Sequence, residues 1–159
     1  TPRCIDHGKI SEETVWNTDA KILEVNSKTG LYPLYMAYSI FTARRQKKPE
    51  VSDEQHWADT LKDNIFVLCK TPMVVSITRR TLAGFRNLQV NAKYRKDLVK
   101  DAQEESSREK LASEIQSGKN FWKINEDNIM KFDAIVGNPP YQDSSINNHS
   151  SSNTISFWN

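Results

Sequence analysis

Apolar residues along this chain gather into three short runs, each followed by a polar turn. The first is 20–25, where Ile22, Leu23 and Val25 precede the polar stretch 26–30. Pro33 then leads a helical pattern in which Leu34, Tyr38 and Phe41 recur at i, i+4 and i+7, which predicts one buried helix face. Arg44, Arg45, Lys47 and Lys48 fill the exit of that helix, where cations suit the helix dipole. The second run, 64–69, is continuous (Ile65, Phe66, Val67, Leu68) and predicts a strand buried on both faces. Thr71-Pro72 after it supplies an N-cap and a proline at the first helical position; Val74, Ile77, Thr78 and Leu82 carry helical spacing to Gly84. The third run, 132–136, ends in Gly137.

Between these units the pattern is weaker. A short helix is expected around 53–61. The highly charged stretch 91–116 reads as a solvated surface helix stopped near Gly118, and a weak strand is expected near 121–124. Strands alternating with helices predict an α/β fold, Rossmann-like and doubly wound, with a mostly parallel sheet and helices on both faces. Ligands in such folds bind beyond the carboxyl ends of the strands, near the reversal of strand order. The turns after Val25, Cys69 and Val136 all belong to that edge.

Composition narrows the class. With 159 residues, 37% hydrophobic and 26% charged, the chain has the length of one domain and enough apolar content for a core. A net charge of +2 gives little overall attraction to nucleic acid, so any such contact has to be local. Cys4 and Cys69 have neither CxxC nor Cys/His spacing, so a zinc site is not expected and no metal is assigned. No apolar run reaches the roughly 18 residues of a membrane span, and no basic-then-apolar stretch reads as a secretory leader, so a cytoplasmic location is the expectation. Beginning at Thr1 and stopping just after the apolar stretch 155–158, the chain reads as one domain, 1–159, truncated at its C-terminus, with 143–154 a flexible loop rich in serine and asparagine.

The sharpest chemical signal is Asn138-Pro139-Pro140-Tyr141, directly after the third run. Two prolines fix their φ angles and remove two backbone donors, and Asn138, preceding proline, is pushed out of the helical region. A stiff extended loop results, presenting carbonyl acceptors, an amide and an aromatic face. Those parts suit a planar amine: the Asn138 side-chain oxygen and the Pro139 carbonyl can accept its two hydrogens, and Tyr141 can stack on the attached ring.

FDAIVGNPPYQ (132–142) resembles the catalytic motif of amino-methyltransferases acting on DNA, with asparagine first as in many adenine-specific members. AKILEVNSKTGLYPLY (20–35) resembles their cofactor loop, and NIFVLCKTPMVVSITRRTL (64–82) the strand–helix unit that follows it. The order of these segments is similar to that of a restriction-modification adenine methylase. The resemblance implies S-adenosylmethionine as cofactor and adenine, extruded from double-stranded DNA, as the methylated base. Asn138, Pro139, Pro140 and Tyr141 would be the catalytic loop. Glu24, Asn26, Thr29, Gly30, Tyr32 and Cys69 would line the cofactor site, with Tyr32 the tyrosine nearest Gly30 in sequence. It also implies further domains in the parent chain for specificity, cleavage or unwinding, and an isolated fragment without activity.

Three positions depart from the family pattern. In its acidic-x-x-x-Gly-x-Gly loop, Glu24 supplies the acid and Gly30 the last glycine, but Lys28 replaces the first. Cys69 stands where an acid normally accepts the ribose hydroxyls. Asn120, Asn125 and Asp127 are the candidates for a third acidic landmark. Two rival readings follow: a methyltransferase acting on a protein glutamine, since the same loop suits any planar amide, and a degenerate module that binds or assembles without catalysis. Elsewhere His7, His56 and His149 read as solvated, Tyr32, Tyr35 and Tyr38 as core and rim, and Arg79, Arg80 and the 44–48 cluster as solvated helix ends.

Overall fold

A computed structural model describes residues 17–124 and 129–137. Four strands form an all-parallel sheet in the order β3-β2-β1-β4. Strand β1 is Ile22–Ser27, β2 Ile65–Cys69, β3 Asn91–Tyr94 and β4 Ala134–Gly137. Helices α1 (Leu31–Lys47) and α2 (Asp53–Asp63) join β1 to β2, and α3 (Pro72–Ala83) joins β2 to β3. Helices α4 (Leu98–Gln103) and α5 (Glu105–Ile115), then a π-helical turn Gly118–Trp122, lead back across to β4. This is the doubly wound α/β arrangement, with the order reversing between β1 and β4.

The alternation of strand side chains sorts the core into two layers. Ile65, Val67 and Cys69 of β2 face Met36, Ala37, Ile40, Leu61 and Leu82 of α1–α3. Phe66 and Leu68 face Leu98, Leu111, Ile115, Trp122 and Met130 on the other side. Every residue of β2 is buried, which is what its unbroken apolar run requires. Each such side chain contributes about 1.5–3 kcal/mol when removed from water.

Local signals explain most boundaries. Thr71 Oγ1 accepts from Val74 N at 3.2 Å, Pro72 opens α3, and Gly84 ends it at φ 62°. Ser52 caps α2 in the same way, accepting from Gln55 N at 3.2 Å. Buried asparagines tie the elements together. Asn64 Nδ2 donates to the carbonyls of Thr18 and Ala20, and its Oδ1 accepts from Arg44.

Several expectations are corrected. The buried stripe of α1 is Pro33, Met36, Ala37, Ile40 and Ala43, not the Leu34–Tyr38–Phe41 face. Small and linear side chains let α1 lie close to the sheet, so Tyr32, Tyr35 and Tyr38 stay more than half exposed. His56 is buried, with Nε2 2.9 Å from the Lys48 carbonyl. The stretch 91–116 is not one solvated helix. It holds strand β3 and two helices, with Leu98, Leu111 and Ile115 buried. Residues 118–122 form the π-helical turn rather than a strand, fixed by the indole of Trp122 donating to the Ile115 carbonyl at 2.7 Å. His7, His149 and the loop 143–154 lie outside the described residues.

Candidate functional site

The carboxyl edge of the sheet is built from the ends of β1, β2 and β4. Glu24 pairs with Val67 and therefore points to the α1–α3 side. Strict alternation would send Ser27 to the opposite side. A bulge between Val25 and Ser27, with Asn26 in the left-handed region at φ 62°, resets the register so that Ser27 pairs with Cys69. Glu24 and Ser27 consequently share one face.

Both are deeply buried, at 3% and 2% exposure, and neither Glu24 Oε2 nor Ser27 Oγ has a hydrogen-bond partner. Burial pushes the Glu24 carboxyl up to about 7. The nearby Ser27 hydroxyl works against this, but without a well-formed hydrogen bond it is the weaker influence. A buried carboxyl with an unmet acceptor is costly unless something donates to it, so this pair suits a ligand bearing hydroxyl or ammonium hydrogens. Ser27 was not legible as a site residue, because only the bulge turns it toward Glu24.

The turn from β1 into α1 forms the wall of this site. Gly30, at φ 77°, is the N-cap of α1, and a Cβ there would lie 3.0 Å from the Thr78 Cα. Only glycine lets this turn sit so close to α3. The Thr29 carbonyl accepts from Thr81 Oγ1 at 2.9 Å, which ties the turn to α3. Lys28 has an exposed side chain and a negative φ, so the missing glycine neither blocks nor strains the loop.

Cys69 ends β2 fully buried, its Sγ 3.9 Å from Thr78 Oγ1. Burial pushes its thiol up to about 11, with Glu24 adding to the effect, so it is a neutral group at this edge. Tyr32 lies one residue into α1 and is 63% exposed.

Across the reversal point, β4 pairs with β1 so that Gly137 stands opposite Val25. A Cβ on Gly137 would meet the Val25 carbonyl at 2.7 Å, so β4 must end in glycine where it meets β1. The next residue in the chain is Asn138; Asn138, Pro139, Pro140 and Tyr141 lie outside the described residues, as do Asn125 and Asp127. Asn120 is exposed on the π-helical turn. On the face away from Glu24, a cavity of about 190 Å³ opens beneath Val25, Asn26 and Gly137, lined chiefly by Leu23, Leu68, Leu111 and Ile115.

Among the described residues, no three His, Cys, Asp or Glu side chains come together as a metal site, and no helix is long and apolar enough to cross a membrane. No curated protein and no solved structure matches the chain. The family model described as Eco57I restriction-modification methylase matches residues 63–157, which is more than half of the sequence. That match begins just before β2 and runs past the Asn-Pro-Pro-Tyr segment, so it owes nothing to the Glu24 loop. An all-parallel sheet reversing between β1 and β4, the strand that the diproline segment follows in sequence, is consistent with it, and the chain belongs to the Eco57I restriction-modification methylase family.

Proposed function

We propose that this domain serves methyl transfer from S-adenosylmethionine to the exocyclic amine of adenine in double-stranded DNA. The observation that carries the reading is the pairing at the reversal point. The chain leaves β4 into Asn138-Pro139-Pro140-Tyr141 directly opposite the β1 end, where Glu24 and Ser27 hold unsatisfied buried oxygens.

The residues present fit the cofactor. Glu24 Oε2 and Ser27 Oγ would accept or exchange hydrogen bonds with its ammonium or hydroxyl groups, and the 26–30 turn would offer backbone groups at the close approach that Gly30 permits. Asn26, Thr29 and Tyr32 would border the same site. Cys69, buried and neutral, would form part of its floor rather than accept ribose hydroxyls. When bound, the cofactor supplies an electrophilic methyl on a sulfonium.

The amine of adenine is a weak nucleophile because its lone pair is delocalised into the ring. Asn138 Oδ1 and the Pro139 carbonyl would each accept one of its hydrogens, favouring a pyramidal nitrogen with a free lone pair. Tyr141 would stack on the extruded base, and Pro140 would keep the loop rigid. Positioning is the main contribution of these residues, since an in-line displacement depends on alignment. The proton lost from the nitrogen passes to solvent.

The test is the nucleoside composition of DNA from cells otherwise lacking adenine methylation. Expression of the intact gene should yield N6-methyladenine in a defined sequence context. Asn138→Ala should lower its yield by about 100-fold or more, the loss typical of removing a group that acts on the transition state. Absence of N6-methyladenine, or methyl groups found on cytosine or on protein glutamine instead, would overturn the reading.

A further inference from the structure

The opposite edge of the sheet carries a second feature. Helix α3 returns the chain from the carboxyl end of β2 to the amino end of β3, and its 12 residues span about 18 Å. At its far end the last turn of α3 and the turn into β3 enclose an open cleft of about 510 Å³, lined by Ser76, Arg79, Arg80, Arg86, Asn87 and Gln89 among others. Among the described residues, no acidic side chain lines it, and none of the three arginines is paired with a carboxylate. Arg79 donates to the Ala92 carbonyl at 3.3 Å, which aims it along the start of β3.

Beside the cleft stands Phe85, 90% exposed, with the Arg80 guanidinium 4.7 Å from its ring centre. A phenylalanine this exposed buries little apolar surface on folding, and the chain holds it on the turn Gly84–Phe85 rather than in either core. Arg79, Arg80 and Arg86 thus bring three positive charges to one end of α3. In a chain of net charge +2 this is a marked concentration.

We infer that this cleft binds single-stranded nucleic acid, its arginines on the phosphates and Phe85 stacked on a base, at the edge of the sheet opposite the methyl-transfer site. Forked guanidiniums match phosphodiester oxygens in pairs, and Ser76, Asn87 and Gln89 add neutral donors suited to the same groups. An exposed aromatic at the rim of a basic groove is an arrangement that holds unpaired bases without sequence preference. An acidic protein segment would use the arginines but would have no need of Phe85.

Fluorescence anisotropy of a labelled 12-nucleotide oligothymidylate against the full chain at low salt tests this. Binding in the range of about 1–100 µM is expected, typical of non-specific association. The double variant Arg80→Glu/Arg86→Glu should weaken it at least tenfold and lower the slope of log affinity against log salt by about 1.4, roughly 0.7 for each phosphate no longer neutralised. Phe85→Ala should weaken it by about fivefold or more. Arg45→Glu, an exposed arginine on α1 paired with Asp53, should leave it unchanged. The milder pair Arg80→Gln/Arg86→Gln, checked by thermal melting, replaces the charge reversals if those unfold. Failure of the oligonucleotide to bind, equal weakening with Arg45→Glu, or an unaffected Phe85→Ala would overturn the inference. So would a duplex of equal length binding as tightly, or polyglutamate competing as well as the oligonucleotide.

Discussion

The two faces of the sheet bury their contents in opposite ways. On the α1–α3 face the core is interrupted near the carboxyl edge by polar groups: Glu24 and Ser27 without partners, and Cys69 against Thr78. On the other face the core is held by rings, with Phe66 edge-on to Trp122 at 5.1 Å and to Phe132 at 5.4 Å. Its imperfection is an apolar cavity, about 190 Å³. An orphaned carboxyl and an aliphatic void both cost stability, but only the first offers a ligand something specific. The polar face is accordingly the one that leaves polar groups for a ligand to satisfy, and the apolar face is the one that holds the fold together.

That contrast predicts mutational effects of opposite sign. The largest belongs to the apolar face. Phe66→Ala, which removes a fully buried ring and both of its edge-on partners' packing, should destabilise the chain by about 3–5 kcal/mol in urea denaturation. A change below about 1 kcal/mol would show that this face is not the mechanical core.

On the polar face the sign reverses. The folded Glu24 carboxyl titrates near 7, against 4.5 for the same group in water, so the native chain holds a proton that the unfolded chain releases. Stability from this group is present below about 4.5 and is lost as the pH rises to and past about 7. The loss amounts to about 3 kcal/mol. Glu24→Gln should therefore stabilise the ligand-free chain at pH 8 by up to that amount and flatten the pH profile between about 5 and 8, while weakening cofactor binding measured by calorimetry. Destabilisation at that alkaline pH would mean that Glu24 is satisfied in solution.

The smallest effect concerns the wall of the site. Gly30→Ala should cost about 1–3 kcal/mol, from the positive φ and from the close approach to the Thr78 backbone, read as a fall in melting temperature. No change would mean that α1 shifts away from α3 without penalty.

How much of this was legible in sequence differs from element to element. Strand β2 was plain because burial on both faces demands an unbroken apolar run, and α3 was plain because Thr71, Pro72 and Gly84 carry its start and stop in their own chemistry. Strand β3 was not. Asn-Ala-Lys-Tyr lies at the edge of the sheet with only Asn91 and Ala92 buried, so no period of two is visible. The buried stripe of α1 was misplaced because its three tyrosines look like core residues when counted by period, whereas a helix pressed against a sheet favours the slimmer Met36, Ala37 and Ile40. Glu24 and Gly30 were singled out only because the 20–35 segment resembles a methyltransferase cofactor loop. The arginine cleft was passed over because Arg79, Arg80 and Arg86 become one surface only when α3 and the turn after it fold back.

By itself, then, the sequence determined the alternation of strands and helices, the caps, and the diproline segment after β4, since each rests on the chemistry of neighbouring residues. Tertiary structure alone decided that Ser27 joins Glu24, that Cys69 is sealed beneath Thr78, and that three arginines share a cleft. Those outcomes depend on a bulge, a strand register and the crossing of a helix, in which residues distant along the chain meet.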